Sequence, residues 1–328
     1  MNECVLRILH DGILGIPMEN FDFNSPFTHY YLHAFERIRK PWLLIEPLFS
    51  LTPLSNDQYK NQDDIYSYTK EILQRRITEL RNGAPRKMSL MDFFIKISEE
   101  HPNFTNDDII NEITTFMSAT ITISRLFYHS ERKKFQGQES VATTMTFTLY
   151  YLAKHQDVQE KVMEEQRSIN FDKGEMTLDM TKQMAYLKQC INETLRLYPA
   201  GPVLARITTE DVTVGEITIP RGTNLFISPC STHRLEHIYP DPEMFDPERF
   251  SADNIKKRHP YAFIPFSVGP RNCIGYKFAY LEMISILSTL LRNYHVSLVP
   301  GKENLTVYFR ITPRAKGGVW LKLTPRKS

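Results

Sequence analysis

Phe266-Ser-Val-Gly269-Pro-Arg271-Asn-Cys273-Ile-Gly275 puts one cysteine at the end of a proline- and glycine-rich loop, where a helix is expected to begin at Cys273 or Ile274. A metal needs the thiolate, and the free amides of a tight loop and of a helix N-terminus stabilise that anion. Gly269 and Gly275 let backbone approach a flat ligand closely, Arg271 stands two residues from the sulfur to pair with a carboxylate, and Phe266 is expected to pack beside them. The plain alternative for any single cysteine is a buried, inert thiol. Upstream, Glu193 and Arg196 in ETLRLYP stand three apart on one helix face. By themselves they read as a surface ion pair contributing a few tenths of a kcal/mol.

These residues need elements to position them. Ile65, Tyr68, Ile72, Leu73, Ile77 and Leu80 recur at helical spacing between Asp57 and Asn82, and Gly83 and Pro85 end that pattern. A second helix is expected over Leu90 to Glu99, and a third near Asn106, with Asn106, Asp107 and Asp108 capping it ahead of Ile109, Ile110, Ile113, Phe116 and Met117. Between Thr120 and Gln136 the period is lost among Arg125, His129, Glu131, Arg132, Lys133 and Lys134. It resumes at Val141, Phe147, Leu149 and Leu152, continues into HQDVQEKVMEEQ, and returns in Met184, Leu187, Ile191 and Leu195 before Pro199. Val212, Val214, Ile217 and Ile219 alternate around Gly215, and Asn224 to Ser228 follows a Pro-Arg-Gly turn, both strand signals. Pro240, Pro242, Pro247, Pro260, Pro265 and Pro270 predict a packed, irregular loop. The class is mainly α with a minor, segregated β part.

Composition excludes several functions. Forty basic and 38 acidic residues give a net charge of +2, which argues for no nucleic acid or anionic surface. Cys4, Cys190, Cys230 and Cys273 include no C-x-x-C pair, so neither a zinc cluster nor a disulfide framework is indicated. No stretch of roughly 18 apolar residues predicts a membrane span, and Asp11 interrupts the only signal-like run.

All five fixed positions of F-x-x-G-x-R-x-C-x-G are present, and here the chain resembles the cytochrome P-450 family, whose haem loop has that form. The resemblance implies the cytochrome P-450 fold, incomplete at its amino-terminal end, as a single partial domain over residues 1–328 with 262–275 as the haem-binding loop. It implies haem b as cofactor, its iron ligated by the Cys273 thiolate, with Phe266, Gly269, Arg271 and Gly275 around it. Arg206, in PVLAR, matches a position that contacts a haem propionate; an exposed strand arginine is the alternative. Glu193, Arg196 and Arg249, the last in DPERF, match a buried triad that holds the loop in place, a structural role.

In the family a helix over the haem carries A-G-x-(D/E)-T, and this chain has Gly137-Gln-Glu139-Ser140, with serine for threonine. The resemblance implies that Glu139 and Ser140 relay protons; the alternative is a solvated acid beside a capping serine. FMSA at Phe116 to Ala119 reads as the first half of the same motif, separated from the second by 120–136. Continued as helix, that stretch would add about 25 Å and drive charged side chains through a core position, so it is expected to be an insertion.

EITTFM, TFTLYYLAKHQDVQEKV, YLKQCINETLRLYP and FIPFSVGPRNCIG are most similar to the microsomal fourth family. Some members carry a glutamate that esterifies the haem; Ala119 or Gln136 stands in that place, so no haem ester is expected. The implied activity is a monooxygenase that inserts one oxygen atom from O2 into a lipophilic small molecule, such as a fatty acid, hormone or xenobiotic, at the endoplasmic reticulum membrane. None of the 13 glycines forms a G-x-G fingerprint, so electrons are expected from elsewhere; the resemblance implies a separate NADPH-dependent reductase, with cytochrome b5 an optional second partner. Lys256, Lys257 and Arg258 read as a docking patch for that partner or as plain solvated surface.

Two rival readings stand beside this one. Peroxide-driven or isomerase chemistry keeps the haem but leaves Glu139 and Ser140 without a role. A defective fragment is the other, because nothing matches the family's membrane anchor, first strands or W-x-x-x-R helix: Trp42 is followed four residues on by Glu46 and Trp320 by Thr324.

Overall fold

The computed structural model describes residues 12–15, 40–121, 139–169, 176–309 and 312–326. The chain divides into two compact units, Met1–Glu139 and Ser140–Ser328.

In the first unit, α1 runs over Pro53–Arg81 and buries Ile65 and Leu73 as the apolar spacing predicts. It begins earlier than that spacing shows. Pro53 occupies the first turn, where its missing N–H costs nothing, and Ser55, Gln58 and Asn61 are buried along the first three turns although they carry no hydrophobic signal. Helix α2, Leu90–Glu100, is capped by the Ser89 side chain, which accepts from the Asp92 amide.

Asp92 also binds the buried Arg76 of α1 through two hydrogen bonds of 2.7 Å, while Arg76 Nη2 donates to the Pro85 carbonyl at 2.8 Å. Burial pushes the Asp92 carboxyl up, but Arg76 and the Lys87 amide outweigh it and leave the group below its ordinary value. The loop between α1 and α2 is thereby tied to α1. Helix α3 spans Asn106–Ile121 and buries Ile109, Ile110 and Ile113. Its cap is Thr105 rather than the expected Asn106: Thr105 Oγ1 accepts from the Asp108 amide, and the Asp108 carboxylate accepts from the Thr105 amide in return.

The second unit holds α4 (Glu139–Lys154), α5 (Gln156–Ser168), α6 (Leu178–Gln183), α7 (Ala185–Leu197) and α8 (Tyr276–Asn293). Helix α7 is buried on every side from Cys190 to Leu197, so it forms the axis of this core. Its first turn has no cap of its own; Glu165 of α5 accepts from the Tyr186 and Leu187 amides at 2.6 and 3.0 Å.

The strands form antiparallel pairs: β1 (Leu204–Ile207) with β4 (Asn224–Ile227), β2 (Val212–Val214) with β3 (Ile217–Ile219), β5 (Tyr294–Leu298) with β8 (Leu321–Pro325), and β6 (Val307–Phe309) with β7 (Pro313–Ala315). Gln159 of α5 pins β5, accepting from the Val296 amide at 3.0 Å and donating to its carbonyl at 2.8 Å. The class expected from the sequence is the one found: mostly helix, with small separate sheets. Among the described residues no helix is long and apolar enough to cross a membrane.

Two expectations are corrected or left open. The last helix begins at Tyr276 with Gly275 as N-cap, so Cys273 precedes the helix instead of starting it. The loop's own turns, described below, extend that far. The proposed insertion at 120–136 lies outside the described residues except for Thr120 and Ile121, which are still helical.

Candidate functional site

Three backbone hydrogen bonds build the loop that presents Cys273. Ser267 N donates to the Ile264 carbonyl (3.1 Å), Asn272 N to Gly269 (3.1 Å) and Cys273 N to Phe266 (2.8 Å). Closing these turns requires left-handed backbone at Ser267 (φ 63°) and Gly269 (φ 82°). Glycine takes that conformation freely, whereas a serine there is strained. Arg206 on β1 supports the strained residue: its Nη2 donates to Ser267 Oγ at 2.8 Å. Arg206 is half-buried on the loop and not the exposed strand arginine of the alternative reading.

Phe266 is half-buried, with its ring centroid 5.3 Å from Tyr280 and 6.3 Å from Tyr276 at the start of α8. Tyr280 donates to Asn192 Oδ1 of α7 at 2.6 Å, which joins α8 to the core axis.

Behind the loop, Glu193 and Arg196 are fully buried, so the surface-pair reading of their spacing is corrected. Arg196 donates to both Glu193 oxygens (2.7 and 2.8 Å) and to the carbonyls of His233 (3.0 Å), Pro242 (2.7 Å) and Met244 (3.1 Å). Burial pushes the Glu193 carboxyl up, while the Arg196 fork and the Asp246 amide, which donates to Glu193 Oε1 at 3.0 Å, act against it. Arg249 lies 3.6 Å from the same oxygen and donates to the Asp241 carbonyl at 3.1 Å. The three residues therefore meet, and between them they hold the carbonyls of a proline-rich segment that has no regular ladder to satisfy them.

The basic run divides. Lys256 and Lys257 are exposed, but Arg258 is half-buried between the rings of Tyr239 and Phe250, with centroids 5.0 and 5.1 Å away, and donates to the Arg249 carbonyl. On α4, Ser140 is half-buried in the first turn and its carbonyl accepts from Thr144 Oγ1 at 2.8 Å. Glu139 is helical, and its side chain lies outside the described residues.

Sequence reasoning overlooked two contributors. Ser267 enters through its positive φ and its bond to Arg206. His233 is buried and accepts from the Ile264 amide through Nε2 at 2.9 Å. Neither has a local spacing that announces it.

The donor set fits a flat ligand bearing carboxylates. Cys273 and Arg271 are exposed, and Arg271 makes no ion pair among the described residues. No heavy atom lies within 4 Å of where a Cβ would stand on Gly269 or Gly275, so that face of the loop is open. A soft sulfur donor with a guanidinium two residues away and open glycine backbone beside it is the chemistry that haem ligation through sulfur demands.

Comparison with known proteins agrees. The family described as cytochrome P-450 matches residues 132–319. The chain belongs to the cytochrome P-450 family, whose cofactor is haem ligated through a cysteine thiolate, and its relatives place it in the fourth family. It is 40% identical to probable cytochrome P-450 4aa1 of Drosophila melanogaster, over 99% of this chain and 62% of that protein. It is 32% identical to cytochrome P-450 4V2 of Homo sapiens, with the same coverage of each. The chain thus spans less than two thirds of the length of these relatives. Among solved structures, retinoic acid bound cyanobacterial CYP120A1 (22% identity, 99% of this chain and 68% of that one) superposes with a TM-score of 0.76. A second, CYP102L1 (24%, 99% and 71%), superposes with 0.78. Both show the fold, and it is the cytochrome P-450 fold.

Proposed function

We propose that Cys273 is the thiolate ligand of the haem, and that the chain is the haem-bearing part of a monooxygenase acting on a lipophilic small molecule with electrons from a separate NADPH-dependent reductase. One observation carries the reading. The Cys273 thiol is exposed at the end of a loop whose turns are closed by its own backbone, whose strained serine is held by Arg206, and which follows a buried Glu193–Arg196–Arg249 cluster.

When bound, haem supplies activation of O2 for insertion of one oxygen atom into a C–H bond. The chain's own residues that would hold it are Cys273 through its sulfur, Arg271 and Arg206 toward its carboxylates, and Phe266 with the backbone of Gly269 and Gly275 beside its ring. Ser140, with Glu139 before it, would supply a hydroxyl and an acid able to hold and move protons on that side of the site. Lys256 and Lys257 offer positive charge to an acidic reductase surface, and cytochrome b5 fits the same charge. The endoplasmic reticulum membrane is the location that fourth-family membership favours.

The test is spectroscopic. The chain loaded with haem, reduced and exposed to carbon monoxide is expected to show the Soret band characteristic of thiolate ligation. Cys273→Ala is expected to abolish that band and Cys273→His to replace it with one typical of a nitrogen ligand. A thiolate-type band that survives in Cys273→Ala would overturn the ligand assignment, and its absence from the unmodified chain would overturn the haem reading itself.

A further inference from the structure

We propose that His233 is a positioning residue for the haem loop: its imidazole fixes the start of the loop while its main-chain carbonyl fixes the buried arginine, so one residue joins the two. The proposal rests on the reading of Cys273 as ligand, and it extends that reading to a residue outside the triad and outside the loop.

His233 ends the helical turn Pro229–Thr232 and is 0% exposed. The Ile264 amide donates to its Nε2 at 2.9 Å. An imidazole nitrogen that accepts from an amide bears no proton, so the hydrogen of the neutral ring is assigned to Nδ1. Nδ1 is itself buried, and the backbones of Arg196 and Leu195 act as hydrogen-bond partners of the ring.

The position of Ile264 gives that bond its reach. Its carbonyl accepts from Ser267, the left-handed residue that Arg206 holds, and two residues further on the Phe266 carbonyl accepts from the Cys273 amide. From the other side, the His233 carbonyl accepts from Arg196 at 3.0 Å. The ring centroid lies 5.2 Å from that of Phe263, which packs 4.6 Å from Phe250 next to Arg249. The triad therefore has no need to touch the haem loop in order to place it. Its arginine holds His233, and His233 holds Ile264.

The interaction demands a neutral ring. A protonated imidazole would set an N–H against the Ile264 N–H, two donors face to face. Burial pushes His233 down to about 4 and secures the acceptor form; the Arg196 and Leu195 backbones act against it, and the charges of Arg196 and Arg234 act with it.

The haem-loaded chain and its variants test this with readouts that a merely space-filling histidine would not move. His233→Phe keeps the ring volume and removes the acceptor; His233→Gln restores an acceptor oxygen at similar reach. Amide hydrogen exchange over Ile264–Cys273 is expected to quicken roughly tenfold or more in His233→Phe, since one loop hydrogen bond is lost, and to return toward the parent rate in His233→Gln. The share of thiolate-type carbon monoxide band is expected to follow the same order. Unchanged loop exchange in His233→Phe, or failure of His233→Gln to restore any of it, would overturn the proposal.

Should His233→Phe not fold, nitrogen NMR of the unmodified chain decides: an unprotonated Nε2 coupled across the hydrogen bond to the Ile264 amide supports it, and a protonated Nε2 overturns it. The exchange and NMR readouts do not depend on which residue binds iron. A thiolate-type band persisting in Cys273→Ala would remove the ligand assignment while leaving the His233–Ile264 link to stand or fall by its own data.

Discussion

Arg196→Leu is expected to destabilise the Ser140–Ser328 unit by about 3–5 kcal/mol, the range seen when one partner of a buried ion pair is removed, and to lower its melting temperature by about 10 °C. The guanidinium is fully buried and every donor direction is used: two bonds to Glu193 and three to the carbonyls of His233, Pro242 and Met244. Leucine fills part of the volume but leaves a buried carboxylate with only the Asp246 amide and a long 3.6 Å approach from Arg249. It also orphans three carbonyls in a segment with no sheet to take them up. Urea titration measures the loss. The double variant Glu193→Leu with Arg196→Leu then separates the two causes, because it removes the stranded charge but not the orphaned carbonyls. Partial recovery relative to the single variant is expected. A single-variant cost under about 1 kcal/mol would return the pair to the surface class of interaction and sink its role as the clamp of this segment.

That clamp marks the limit of what the chain shows by itself. Three-residue spacing of Glu193 and Arg196 is what any exposed helix pair has, and nothing local distinguishes a pair that is fully buried. Its burial comes from helices packing on all sides of α7, a tertiary fact. The haem loop was legible because its chemistry is local: the glycines, the arginine and the cysteine must lie within ten residues to do their work. Apolar period revealed α1, α4 and α7 for the same reason.

Where polar groups serve as core the signal vanishes. The polar first turn of α1, with Ser55 buried in it, carried no apolar signal, and the cap of α7 comes from Glu165 on another helix. Arg258 read as the end of a basic surface run, yet it lies between two aromatic rings that stand close to it only once the chain has folded. His233 gave no signal at all, since a histidine acting through one distant amide has no motif.

Glu282→Met is expected to leave stability nearly unchanged at pH 5 and to raise it by several kcal/mol at pH 9. Glu282 sits on α8, the helix that the haem loop enters through Gly275, and is 4% exposed. Neither carboxyl oxygen has a hydrogen-bond partner among the described residues, and burial alone pushes the group up from 4.5 to about 8. A raised pKa in the folded state means that the native chain keeps a proton which the unfolded chain releases. Stability from this group is therefore fully present below the unfolded value of 4.5 and is lost as pH rises to about 8. At about 1.4 kcal/mol per unit, the loss across that window is roughly 5 kcal/mol. Methionine matches the length, buries no charge and removes the titration, so its advantage grows over the same window. Urea midpoints of parent and variant between pH 5 and pH 9 measure it. Parallel pH profiles would show that Glu282 finds its proton or its partner elsewhere, whereas profiles that diverge from about pH 5 upward would identify this carboxyl as the alkaline weak point of the helix behind Cys273.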